Sequence, residues 1–530
     1  MVRSAFVAAT AATLVAGLSL TAPAVAQEDA EQRLGTVHFP TSCNETAQRR
    51  FDRGMRYQHS FWYRQSKEVF EEVLKADESC AIAYWGIALS LLLNPHGAPP
   101  AENLPLGLAA LQKAKAIGAK SERERDYIDA LLVLYTDYDK VLRTVRLQGY
   151  LKAAEALAQR YPDDVEAQIN YAITLNVSAS PNDKTYAQQL KGAAILEPIF
   201  ARMPQHPGVA HYLIHLYDYP PIAEKGLDAA KRYAGIAPAA PHAQHMPSHI
   251  FTRVGYWKDS IASNIASSRA AKAGRETGEQ MHASDYMVYA YLQLAQDEKA
   301  RAVTDEMAAV AANLPAANNN FAVAASPARY AMERGDWKAA ADLLVRPSNV
   351  PQVEAITHFA RAVGTARIGN PDGTRAEMTA LAGLRDKLRE AKDAYWAEQV
   401  DIQWQVAAAW LQHAEGKPDG ALKAMGAAAD VEDKTEKAPV TPGPIVPARE
   451  LYGQMLLERG MTKEALAAFE AVLKKEPHRL GATLGAAKAA EKAGDGAKAR
   501  QHYEAAVALA AEAEPVRPEI AAARAFLARN

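Results

Sequence analysis

Residues 453–477 read GQMLLERGMTKEALAAFEAVLKKEP, and this stretch decides the fold. Small residues stand at Gly453 and Ala465, an aromatic at Phe469 and a helix breaker at Pro477. Thirty-four positions on, the last three recur as Ala499, Tyr503 and Ala511. Small residues let two antiparallel helices approach, and the aromatic fills the space between them. The same spacing carried back finds Gly54, Tyr57 and Phe70 near the start of the chain. Gly335 to Ala340 repeats the turn-plus-second-helix form of Gly460 to Ala465, and Gly255 to Ser260 gives another copy. One helix pair cannot bury its apolar face alone, so the spacing predicts an all-α stack of roughly ten or more pairs with essentially no strand.

Composition agrees. Alanine saturates the chain, while glycine and proline gather at element boundaries. A length of 530 residues exceeds one compact core and suits an extended array. With 60 Lys+Arg against 62 Asp+Glu, no global field would draw in nucleic acid. The repeats are interrupted at Asn94–Asn103, around Ser178–Asp183 and at Lys434–Pro447, where four prolines forbid a continuous helix. These breaks divide the chain into N-terminal repeats over 27–177, central repeats over 178–433, a Pro-rich linker over 434–447 and C-terminal repeats over 448–530.

The first 26 residues read as a secretory signal. Arg3 is followed by an uncharged run from Ala5 to Leu20 and a small-x-small site at Ala24-Val25-Ala26. The expectation is a periplasmic or secreted protein whose mature chain does not insert stably into a membrane. Cys43 and Cys80 are the only cysteines, and an even pair in an oxidising compartment is expected to form a disulfide.

The chain resembles the bacterial exported tetratricopeptide-repeat proteins, in the subset marked by a cysteine-bearing first repeat. The residues that carry the likeness are His59-Ser60-Phe61-Trp62-Tyr63, Cys80 to Gly86, and the central motifs His211-Tyr212-Leu213-Ile214-His215 and His245-Met246-Pro247-Ser248-His249-Ile250. The resemblance covers nearly all of the mature chain. It implies a right-handed helix-pair solenoid and export, and it implies no reaction. Where the family pattern carries a histidine between Lys437 and Pro439, this chain has Ala438.

On a helical wheel with His211 at 0°, His215 falls near ~40° and Asp218 near about −20°, opposite Val209, Leu213 and Leu216. His245 and His249 follow His211 and His215 at the repeat spacing of 34. On the next rung His282, Asp285, Tyr286 and Tyr289 form a similar polar stripe. In a solenoid these positions would line a central concave groove. Imidazoles and a carboxylate at His211, His215, His245, His249 and Asp285 suit zinc, copper or iron, and Tyr286, Tyr289, Asp218 and His282 would contact a small molecule or peptide. Metal affinity would then fall as pH drops through roughly 6.5, the unperturbed imidazole value.

The rival readings are a metal-dependent enzyme working in the same groove and a plain protein-interaction scaffold. No Gly-rich phosphate loop, Gly-x-Ser-x-Gly elbow or His-Glu-x-x-His is present. His211 and His215 have the spacing of a zinc-protease helix, but Tyr212 stands where that motif has its general base. His206 is expected in an entry turn, His96 in a structural loop, and His358 with Arg361 as one further polar rung.

Overall fold

The structure is a computed structural model and describes residues 33–529 apart from 182. The expected signal segment, 1–26, lies outside the described residues. Among those described there are helices and turns but no strand. Antiparallel helix pairs follow one another from Glu45–His59 to Pro518–Arg529.

The packing explains the repeat. Phe70, in the helix Tyr63–Ala76, lies between Gly54 on the preceding helix and Gly86 on the following one. A Cβ at Gly54 would sit 2.8 Å from the Phe70 ring, and one at Gly86 only 2.6 Å from it. Near the other end Phe469 is held in the same way between Gly453 and Gly485, with approaches of 2.9 and 2.4 Å. Glycine is required because the ring occupies the space of a side chain. This is the tetratricopeptide type of helix-pair stacking, and it recurs with the spacing the sequence shows.

Cys43 and Cys80 are joined, with Cα atoms 5.1 Å apart and a separation of 37 positions in the chain. The bond ties the entry of Glu45–His59 to the entry of Ala81–Leu91.

The inner surface is filled rather than open. The first helix reaches the central helix Pro207–Tyr217, where His59 Nδ1 lies 3.1 Å from the Tyr212 hydroxyl. The C-terminal repeats return to the centre: Trp257 Nε1 donates to the His478 carbonyl, Arg479 donates to the Tyr289 hydroxyl, and Arg517 pairs with Asp297. The Pro-rich segment 434–447 also packs inward. Lys437 reaches Asp218 at 3.0 Å, Ile445 and Val446 are buried, and Arg329 donates to the carbonyls of Gly443 and Pro444. Prolines leave carbonyls without a helical partner, and a buried guanidinium satisfies two of them. No helix among the described residues is long and apolar enough to cross a membrane.

Candidate functional site

The helix Pro207–Tyr217 opens with proline at its first turn, where the missing N–H costs nothing. One turn separates His211 from His215, and their Nε2 atoms are 3.1 Å apart. His242, from the short helix Pro241–His245, joins them, so that one nitrogen of each of the three lies within 4.8 Å of the others. His211 Nδ1 donates to the His59 carbonyl at 2.7 Å. A carbonyl can only accept, so His211 carries its proton on Nδ1 and presents a lone pair at Nε2.

A second triad is built one repeat later. His245 ends its helix, Pro247 starts the next, Pro247–Arg253, and His249 follows. Despite that break the Nε2 atoms of His245 and His249 are 3.0 Å apart. His282, from Thr277–Gln293, brings its ring to 4.2 Å from that of His245, and ligating atoms of the three again lie within 4.8 Å. His245 Nδ1 donates to Asn264 Oδ1 at 2.6 Å. Asn264 must present oxygen there because its amide nitrogen donates to the Ser260 carbonyl. His249 Nδ1 donates to Asp218 Oδ2 at 2.8 Å. Both rings therefore hold their protons on Nδ1, and two Nε2 lone pairs face each other.

Asp218 is the hub behind this arrangement. It accepts from His249, from Arg253 Nε at 2.8 Å and from Lys437 at 3.0 Å. Burial alone would raise its carboxyl, but Lys437 and then Arg253 hold it well below the usual carboxylate range. Burial pulls Lys437 down to about 8 against the opposing pull of Asp218.

Most of the imidazoles are enclosed, with His211 and His245 fully buried and His249 1% exposed, while His282 and His96 are half-buried. Burial drives His249 down to about 4 and His282 to about 3, and it pushes His211, His215 and His245 well below 6.5, with neighbouring imidazoles adding to the effect. Burial thus favours the neutral form of these rings well below the ordinary imidazole range, against the expectation of a transition near 6.5.

Phe61 forms part of the wall. Its ring stacks on His242 at 4.9 Å and meets His211 edge-on at 4.3 Å. Its φ of 57° is left-handed, a costly conformation for an aromatic residue that turns the ring inward at the end of Glu45–His59. His96 covers the first triad from the loop after Leu91, with its ring 4.3 Å from that of His215.

The structure gathers His211, His215, His245, His249 and His282, as the wheel suggested, and adds His242 and His96. The polar stripe was expected to face an open concave groove. It meets other side chains instead, because the first helix pair and the 434–447 segment fill that space. Asp218 stands behind His249, on its Nδ1 side, rather than among the facing Nε2 atoms. Tyr286 borders those atoms, with its hydroxyl 3.5 Å from His249 Nε2.

Two residues are not brought to the imidazole cluster. Asp285 accepts from Arg329 Nε at 3.1 Å, a pair with 0% and 1% exposure, and Tyr289 donates to Glu476. His358 pairs with Glu377, which also accepts from Arg361, so that rung makes its own polar cluster. His206 caps Pro207–Tyr217 as an entry residue, and its Nε2 lies 3.0 Å from Glu166 Oε1. His59 lies 3.0 Å from the other oxygen of Glu166, so one carboxylate pairs with both imidazoles.

No protein-family model and no curated protein matches the chain. Among solved structures, yeast Tom70 is 11% identical, with 92% of this chain and 95% of that chain covered at a TM-score of 0.30. The Cut9–Hcn1 hetero-tetramer of the APC/C is 12% identical, covering 91% and 90% at a TM-score of 0.30. The P58(IPK) TPR domain is 12% identical, covering 91% and 99% at 0.21. At these scores the likeness adds nothing to the helix-pair packing seen in the chain itself.

Proposed function

We propose that this chain is an exported tetratricopeptide-type binding protein whose buried centre holds a transition metal on its two histidine triads. The observation that carries the reading is the His245–His249 pair. Each Nδ1 is committed to an oxygen acceptor, and the two Nε2 lone pairs face each other at 3.0 Å. Two facing lone pairs repel unless a cation lies against both, and a proton is disfavoured there because burial depresses both imidazoles. Acceptors behind the Nδ1 atoms are also what metal-bound histidines have, since they fix the tautomer and the ring plane.

An all-nitrogen donor set of neutral imidazoles suits copper or zinc ahead of iron. Export is supported by the charge and apolar pattern of residues 1–26 and by the paired cysteines. The test is elemental analysis of untagged, exported protein beside the His211→Ala/His215→Ala and His245→Ala/His249→Ala variants. Metal in the parent and its loss in the variants, with helicity unchanged, supports the reading. A parent without transition metal that also fails to take up copper or zinc would leave the chain a protein-interaction scaffold.

A further inference from the structure

The first repeats enclose a cavity of their own. It lies between the helices Glu45–His59, Ala81–Leu91, Glu122–Tyr135, Arg143–Arg160 and Val165–Ser178, and most of its wall is apolar. One face of Val165–Ser178 lines it from Glu166 through Ile169 and Ile173 to Val177. At 1.5 Å per residue that face is about 16 Å long, so the cavity is elongated along the helix. Trp85, Tyr127 and Tyr150 close it from the other helices. At its mouth stands Leu93, 38% exposed and held at a left-handed φ of 55°.

The charges of the lining are separated along that length. Arg143 and Arg146 start the helix Arg143–Arg160, and Gln148 on the same helix donates to the Ser178 carbonyl at 3.0 Å. The two guanidiniums therefore sit beside the last turn of Val165–Ser178, while Glu166 belongs to its first turn. Arg146 is 7% exposed and donates to the carbonyls of Val141 and Leu134, and Arg143 donates to the Pro95 carbonyl at 2.9 Å. Carbonyls occupy N–H groups without neutralising a charge. Among the described residues no carboxylate pairs with either guanidinium, and burial pulls both below their ordinary value, with Arg146 lowering Arg143 further. Glu166 is taken by His59 and His206. Midway, Asn170 accepts from the Tyr150 hydroxyl at 2.8 Å and Thr174 donates to the Asn170 carbonyl at 2.6 Å. Those polar groups are engaged within the wall, so the middle suits hydrocarbon rather than a polypeptide backbone.

We infer that this cavity binds a small apolar carboxylate, its head on Arg143 and Arg146 and its alkyl or aryl body along Ile173 and Ile169. Two partly buried cations without an anion are costly, and a carboxylate fits the planar fork of a guanidinium with two parallel hydrogen bonds. Glu166 at the far end repels the same head, which fixes the direction of entry. Phe61 borders both this cavity and the first histidine triad, but binding here does not depend on metal.

The test is calorimetric titration of the full chain with octanoate and phenylpropanoate, beside octanol and octylamine as neutral and cationic controls. At least one of the two carboxylates should bind once per chain and at least about tenfold tighter than octanol, and octylamine should not bind. Arg143→Gln and Arg146→Gln should each remove that preference while leaving octanol binding unchanged. Arg146 also holds the carbonyls of Leu134 and Val141, so if its variant loses helicity the half-buried Arg143 decides. Ile173→Trp, with helicity intact, should fill the cavity and abolish binding of carboxylate and alcohol alike. Failure of both carboxylates to bind, equal affinity for carboxylate and alcohol, a preference untouched by Arg143→Gln, or binding that survives Ile173→Trp would each overturn the inference. None of these outcomes bears on the metal content of the protein.

Discussion

Lowering the pH from 8 to 5 should leave the site imidazoles uncharged. An ordinary imidazole, at about 6.5, is roughly 97% protonated at pH 5. His249, held down to about 4 by burial and only partly rescued by Asp218, would be about 10% protonated there. His282, at about 3, would be about 1% protonated despite the opposing pull of Glu279. His96, again at about 4 through burial and the nearby His249, should behave like His249. The direct assay is NMR of isotopically labelled histidine in metal-free protein, with assignments from the single variants. Three ordinary imidazoles would each lose about thirtyfold in metal affinity at pH 5, on the order of 10⁴ together, whereas these values predict less than about twofold from His249 and His282. Chelator competition at the two pH values separates the cases. Site resonances that titrate near 6.5, or a metal affinity that collapses there with helicity intact, would refute the burial argument. Global stability is a poorer readout. A depressed imidazole contributes stability above 6.5 that is lost as pH falls, while Glu432, raised to about 7 by burial, gains stability over the same interval.

Asp285→Ala should destabilise the protein by roughly 3–5 kcal/mol in denaturant unfolding, because it strands the fully buried Arg329, yet leave metal content unchanged. Metal loss without destabilisation would return Asp285 to the site. Cys43→Ser/Cys80→Ser, opening a closure of 37 residues, should cost about 4 kcal/mol, with proteolysis of the first helix pairs as the sensitive readout, and intact protein should yield the linked peptide in non-reduced digests. Gly485→Ala meets the Phe469 ring at 2.4 Å and should cost about 1–3 kcal/mol. In a Phe469→Leu background it should cost at least about 0.5 kcal/mol less, and strict additivity would deny that the ring is what excludes the methyl group.

How far the sequence reveals this site follows from how far each residue's position depends on its own helix. A glycine that faces an aromatic ring and a histidine pair one turn apart are set within a single repeat, so Gly453, Phe469, His211 and His215 could be placed from spacing alone. What stands opposite a helix face is set by chain distant in sequence. The wheel showed that His211 and His215 point away from Leu213, but not that Phe61 and the 434–447 segment would meet them. A wheel also projects away height along the axis. Tyr289 shares an angle with His282, but seven residues at 1.5 Å put it about 10 Å further along, where it meets Arg479 rather than an imidazole. Asp285 sits at the edge of the stripe, and the charge of Arg329 decides which way it turns. His96 belongs to no periodic element, so only the folded chain could bring it to His215. His242 does leave a trace in the sequence, three residues before His245 and hence on the same helical face of Pro241–His245.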